Sequence, residues 1–240
     1  MINMQNYWYS PAYVIYMAEE LAKIYGQAII DRDTVFQRVG EMKGSAILSL
    51  AMNKVDGHRY FMQASQEEFP DVFTLYQEEI VGKNVDTKYQ TVEVVEYRPM
   101  MQKGVAEFIL DSKLINPKKA YDEQTIIVCY IRKFGTFIDF NDLYEKLKSQ
   151  KFKPTNVYIV GNIMGADNLF QVTQVWPVIH HEAIDYVERT KAYPLPHKMF
   201  FKKGVSKKLD YKVGSTSLKT NSYEVFNLNE EEVKKKYGKK

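Results

Sequence analysis

Apolar residues recur along this chain with two different periods, and the switching between them sets the expected order of elements. Over residues 11–25, Val14, Met17, Ala18, Leu21 and Ile24 fall at helical spacing, with Ser10 as N-cap, Pro11 in the first turn and Gly26 as the stop. A second stripe, Val35, Val39, Met42, Ala46 and Leu50, predicts a helix over 33–53 and leaves Arg38, Glu41 and Ser45 on a different side. Asp56-Gly57 then marks a turn. Beyond it the period shortens. Strands are expected at 59–63, at 71–76 after the Pro70 break, and at 91–97, where Val alternates with polar residues. Residues 77–90 hold Gly82, Lys83, Asn84 and Asp86, as a hairpin turn would.

Val105, Phe108 and Ile109 return to near-helical spacing over 103–114, and Thr125–Ile131 is apolar throughout, as in a strand buried on both faces. A helix over 140–150, opened by Asp139 or Asn141, turns Leu143, Tyr144 and Leu147 inward. Buried strands follow at 156–164 and 170–176, the last stopping at Pro177. The order is helix, three strands, helix, strand, helix, strand, strand. That order predicts an α/β domain with a mixed sheet whose early strands form a meander, without internal repeats.

Composition narrows the class. The chain has 240 residues, 45% hydrophobic and 26% charged, as an ordinary soluble globular protein does. No uninterrupted apolar run reaches the ~18 residues of a membrane span, and no signal segment opens the chain, so a cytoplasmic protein without membrane partners is expected. The single cysteine, Cys129, has no intrachain partner and sits in the apolar run as a buried strand residue. A net charge of +3 demands no polyanionic partner, but the charge is unevenly spread. We therefore expect an α/β domain over 1–177 and a basic C-terminal extension over 178–240. In that extension Lys198, Lys202, Lys203, Lys207 and Lys208, interleaved with Phe200, Phe201 and Tyr211, suit contact with a nucleic-acid backbone or, equally, a solvated hairpin. Residues 230–236 are a charged helical end or a frayed tail.

Two acids carry the candidate chemistry. Asp71 follows Pro70 at the start of one expected strand, and Glu93 comes 22 residues later inside the next. Carboxylates side by side on adjacent strands can hold a hard divalent cation. Each also has a plainer reading: Asp71 as a turn residue, Glu93 as a solvated strand residue, Glu41 as the helical partner of Arg38. The pair His181 and Asp185, four apart on an expected helix beside His180 and Glu182, lacks the further ligands of a zinc site. Gly161 to Gly165 lacks the lysine of a phosphate loop, and no Gly-x-Ser-x-Gly elbow occurs, which removes nucleotide hydrolases and esterases.

A helix bearing a glutamate, three meandering strands with Pro-Asp opening the second and an acid in the third, then a helix and a buried strand, resembles the PD-(D/E)XK nuclease superfamily, the restriction-endonuclease-like fold. The resemblance covers residues 33–165. It implies a mixed central sheet flanked by helices, with Asp71 and Glu93 as the paired acids and Glu41 as a further metal-facing group. It also implies one or two Mg²⁺ ions, replaceable by Mn²⁺, that activate water against a scissile phosphate. The family's lysine, two residues after the second acid, is Val95 here. Lys88 of Asp86-Thr87-Lys88 and Lys103 of the following helix are the replacements within reach, and Lys103 is the closer candidate. Glu96, on the opposite strand face from Glu93, is expected to be structural.

The resemblance thus implies a Mg²⁺-dependent DNA endonuclease, restriction- or phage-related, with a homodimer as the common state of such members. The same core would serve an RNA-acting enzyme. The alternative is a nuclease-fold protein without catalysis that binds nucleic acid or serves assembly, which the valine at position 95 favours.

Overall fold

The computed structural model describes residues 7–66, 69–80, 84–98, 101–114, 121, 124–132, 135–149, 154–166, 168–193, 198–200 and 222–238. Helix α1 (Pro11–Tyr25) starts where expected, Ser10 Oγ accepting the N–H of Tyr13, and buries Val14, Ile15, Ala18 and Leu21. A short α2 (Gln27–Arg32) follows. Asp33 then caps a 3-10 turn at Thr34–Phe36 by accepting the N–H of Val35, and the chain enters α3 (Gln37–Asp56). Gly57, at φ +76°, ends α3 in the left-handed region that a Cβ disfavours.

Nine strands form one mixed sheet: β1 (Tyr7–Tyr9), β2 (Phe61–Ala64), β3 (Val72–Ile80), β4 (Asn84–Tyr97), β5 (Thr125–Ile131), β6 (Asn156–Asn162), β7 (Leu169–Trp176), β8 (His180–Asp185) and β9 (Lys198–Phe200). Their spatial order is β8-β7-β6-β5-β4-β3-β2-β1-β9. The pairs β4–β5 and β5–β6 are parallel and the rest antiparallel. Between the parallel strands run α4 (Val105–Ile109), extended by a wider turn over Leu110–Leu114, and α5 (Phe140–Lys148), capped by Asp139. These crossovers are what parallel pairing requires.

Helices cover both sheet faces, and among the described residues each face has a core, with a third, smaller cluster of Trp8, Phe61, Phe73 and Leu75. On one face α1 and α3 pack over Val92, Val94, Ile126, Val128 and Tyr130. On the other, Ile109, Leu143 and Leu147 pack over Val95, Tyr97, Ile127, Cys129 and Ile131. Full burial of Leu143 and Leu147 stabilises α5 by ~2 kcal/mol each. Cys129 is fully buried, which pushes its thiol pKa up and leaves it a packing residue. Two glycines let α3 lie close to the sheet: a Cβ on Gly44 would sit 3.1 Å from Tyr130, and one on Gly40 would overlap Glu96 at 1.6 Å.

Three expectations need correction. The region 77–90 is not a long turn; β3 and β4 extend through most of it as a paired ladder, Gln77 facing Thr87 and Glu78 facing Asp86. Gln77, Glu78, Asp86 and Thr87 of this ladder are half-buried, and Lys88 is exposed. Second, Pro177 is no boundary of the sheet. β8 pairs with β7 in antiparallel register, β9 pairs with β1, and α6 (Tyr186–Ala192) follows β8. Third, of the two readings of the charged end the helical one holds, and that helix packs on the first core rather than standing apart as an extension. After α7 (Ser222–Val225), α8 (Glu230–Tyr237) buries Val233 in the first core, stacks Tyr237 near Phe36 and pairs Lys236 with Asp33 at 2.6 Å. Lys202, Lys203, Lys207 and Lys208 lie outside the described residues. Lys198 belongs to β9. Among the described residues no helix is long and apolar enough to cross a membrane.

Candidate functional site

Near the carboxyl ends of the parallel strands a group of charged side chains is gathered. β3 joins the ladder at Val72, opposite Val92 of β4, so β4 runs on past its neighbour. Asp71, just ahead of that first pair, takes up the exposed backbone: its Oδ2 accepts the N–H of Val94 at 2.7 Å. Such charge-assisted bonds favour the ionised carboxyl and fix its direction. From above, α3 brings Glu41, which is 2% exposed. Gln37 Nε2 donates to its Oε1 at 2.7 Å and Arg38 Nη1 to its Oε2 at 2.9 Å. The same Arg38 nitrogen lies 3.3 Å from Asp71 Oδ1 and 3.3 Å from the Asp71 carbonyl. Arg38 therefore bridges Glu41 and Asp71.

Glu96 completes the group. Its strand face is that of Val92 and Val94, whose side chains join the first core beneath α3. Arg132 Nη1 donates to Glu96 Oε1 at 2.7 Å, and Arg98 Nε to Oε2 at 2.8 Å with a second contact from Arg98 Nη2. Arg132 also pairs with Asp31 of α2. The Glu96 pKa is raised to about 7, chiefly by burial, with Arg98 opposing the rise and the charges of Glu41 and Asp71 adding to it. Burial also lowers Arg132, to about 10. Four carboxylates (Asp31, Glu41, Asp71, Glu96) and three guanidiniums (Arg38, Arg98, Arg132) thus share one region.

Glu93 lies elsewhere. Its face of β4 is that of Val95 and Tyr97, which belong to the second core, and it is fully buried. It acts electrostatically on Tyr121, whose hydroxyl pKa is pushed up first by burial and then by Glu93 and Asp71. Asp71 stands at the strand edge, where both faces feel it. Of the expected set, Arg38 bridges Glu41 and Asp71, Glu96 feels the charge of both, and Glu93 shares with Asp71 an electrostatic effect on Tyr121 from the other face of β4.

Neither replacement lysine reaches the group. Lys103 is exposed and pairs with Asp111 at 2.6 Å, while its carbonyl accepts the Tyr97 hydroxyl. Lys88 pairs with Asp86 at 2.6 Å on the β3–β4 hairpin. His180, His181 and Glu182 stand on strand β8, not a helix; His181 Nδ1 meets Thr173 Oγ1 at 2.9 Å, Glu182 pairs with Lys54, and Asp185 caps α6. The residues that sequence reasoning missed are Glu96, Arg98, Arg38 and Arg132. One signal pointed to them: Glu96-Tyr97-Arg98 has the acid-x-cation spacing, with arginine as the cation.

Among the described residues, no three or more His, Cys, Asp or Glu side chains are already spaced to hold a metal ion. Oxygen donors of the kind a hard divalent cation prefers are nonetheless assembled. Arg38 occupies the position between Glu41 and Asp71 that a cation would take. No protein-family profile, no characterised protein and no solved structure matches this chain.

Proposed function

We propose that the chain is a metal-dependent endonuclease of the PD-(D/E)XK kind that hydrolyses DNA phosphodiester bonds. Glu41, Asp71 and Glu96 would hold Mg²⁺ or Mn²⁺, and Arg98 would stand where the family has its lysine. One observation carries this reading: three buried carboxylates, delivered by a helix, a strand start and the next strand, act on one another at the open end of the sheet. The order α3-β2-β3-β4-α4-β5, with an antiparallel meander and then a parallel strand, supports it.

The donor set fits such a cation in kind, because a bound dication would offset the burial, and the lesser repulsion from Glu41 and Asp71, that raise the Glu96 pKa. The cation would polarise the phosphate and lower the pKa of attacking water. Arg98 and Arg132, both paired with Glu96, would hold that carboxylate in position at the site. Arg38 must give up its bridge for the site to load.

That same bridge favours a second reading. Where Arg38 neutralises Glu41 and Asp71 permanently, the protein is a nuclease-fold nucleic-acid binder or assembly module without catalysis. Supercoiled plasmid and linear DNA, incubated with Mg²⁺, Mn²⁺ or EDTA, separate the two. The nuclease reading expects metal-dependent cutting by the wild type, loss of cutting in Asp71→Asn and Glu96→Gln, and retention in Glu93→Gln. Absence of cutting by the wild type, with salt-sensitive DNA binding intact, would establish the binder instead.

A further inference from the structure

Beside the acid cluster, and sharing Arg132 with it, a cleft of about 790 Å³ opens across the carboxyl ends of β5 and β6. Ligands of open α/β sheets characteristically sit in such crevices, and the volume suits one small organic group. Its rim is unusual in composition. Phe137 and Met164 are 89% and 81% exposed, the two most exposed large apolar side chains among the described residues, and both border this cleft. Phe137 stands on the loop after β5 and Met164 on the loop after β6. Apolar side chains gathered in water at one mouth mark a binding surface.

The cleft also carries a spare cation. Lys43 of α3, two residues beyond Glu41, lines it and makes no ion pair among the described residues. Burial disfavours its charged form, with Glu19 supplying only a weak opposing field. Arg132 is already committed to Glu96 and Asp31, so Lys43 is the group left to meet an incoming anion. A flat apolar face at the mouth and an ammonium inside match a ligand with a planar ring system and a nearby negative charge.

We propose that this cleft holds one unpaired nucleotide of a DNA strand, its base against Phe137 and Met164 and its phosphate on Lys43. This inference rests on the nuclease reading and specifies its substrate: DNA with single-stranded character, such as a frayed end or a flap. Bases stacked within an intact duplex do not offer their faces to side chains, whereas an extruded base stacks on aromatic and apolar ones.

The test is fluorescence anisotropy in EDTA, with a short labelled oligothymidylate and a duplex of equal length. Phe137 and Met164 are solvent-exposed, so the double variant Phe137→Ala/Met164→Ala keeps the core intact. It should bind the single strand roughly tenfold more weakly, as base stacking on such side chains predicts. Lys43→Gln should weaken single-strand binding and flatten its salt dependence by about one phosphate contact. Duplex affinity should change by less than about twofold in both variants if the cleft contributes only base stacking and one contact. Unchanged single-strand affinity in both variants, or equal loss on duplex, overturns the inference. If the wild type cuts DNA in Mg²⁺ while the variants bind normally, the cleft assignment alone fails. If the wild type neither binds nor cuts DNA, the nuclease reading fails with it.

Discussion

Strand β4 buries a glutamate on each of its faces, and the protein treats the two differently. Glu96, beneath α3, is gripped by Arg98 and Arg132 and feels the charges of Glu41 and Asp71. Glu93, three residues earlier and on the opposite face, sits among Val95, Tyr97 and the ring of Tyr121 in the second core. The arrangement over Glu96 is also sterically dedicated, since Gly40 leaves room for its carboxylate against the helix. Burial of an acid is thus not by itself the mark of a site. What distinguishes the α3 face is a set of opposed charges drawn from five elements, held in a place that a core would fill more cheaply with apolar side chains.

If that contrast is real, the largest effect should come from closing the space around Glu96. Gly40→Ala would put a methyl group 1.6 Å from Glu96 Oε1 and 2.7 Å from Arg132 Nη1. The carboxylate must then leave its arginine, and breaking a buried ion pair costs roughly 3–5 kcal/mol. Val95→Ala, on the Glu93 face, removes only buried hydrocarbon and should cost about 2 kcal/mol. Urea unfolding of both variants checks the order. Equal costs would mean that the two faces are alike.

A smaller effect separates the faces by pH. Glu96 has a folded pKa of about 7, raised from 4.5. The folded state therefore holds this proton more tightly than the unfolded state does. Its contribution favours folding below the ordinary carboxylate pKa and is lost as pH rises through about 7. Between pH 5 and pH 8, in EDTA, the wild type should lose on the order of 2 kcal/mol that Glu96→Gln retains. Thermal melts across that range decide it, and a slope that survives in Glu96→Gln would remove the special status of this acid.

The sequence was most readable where one period dominated. The α1 stripe, the α3 stripe and the continuous run of β5 each appear at their expected positions. The face of β4 was not readable, because Val92, Val94 and Val95 are apolar on both sides and the pattern alone does not say which side meets α3. Glu93 was preferred as the acid in the alternating run after Pro70-Asp71, and Glu96, on the opposite face, was set aside as structural. Arg132 was invisible for another reason: it stands just past the β5 run and reaches Glu96 only because β4 and β5 are parallel and in register. The charged sequence after Pro177 concealed β8, α6 and α8, whose few buried residues, Ile184 and Val233 among them, are too sparse to set a period.

The smallest expected effect bears on which face of β4 holds the chemistry. Lys103 lies just ahead of α4, on the side of the second core, and it was the nearest lysine to replace the one that Val95 displaces. Its ammonium is exposed and pairs with Asp111, and that pairing raises its pKa. Exposed ion pairs contribute ~0–1 kcal/mol, so Lys103→Ala should leave the urea midpoint nearly unmoved. It should also leave any metal-dependent DNA cutting at the wild-type rate, while Arg98→Ala abolishes it. Cutting lost in Lys103→Ala but kept in Arg98→Ala would reverse the assignment, because a lysine arriving from α4 can serve only a site built on the Glu93 side of the strand.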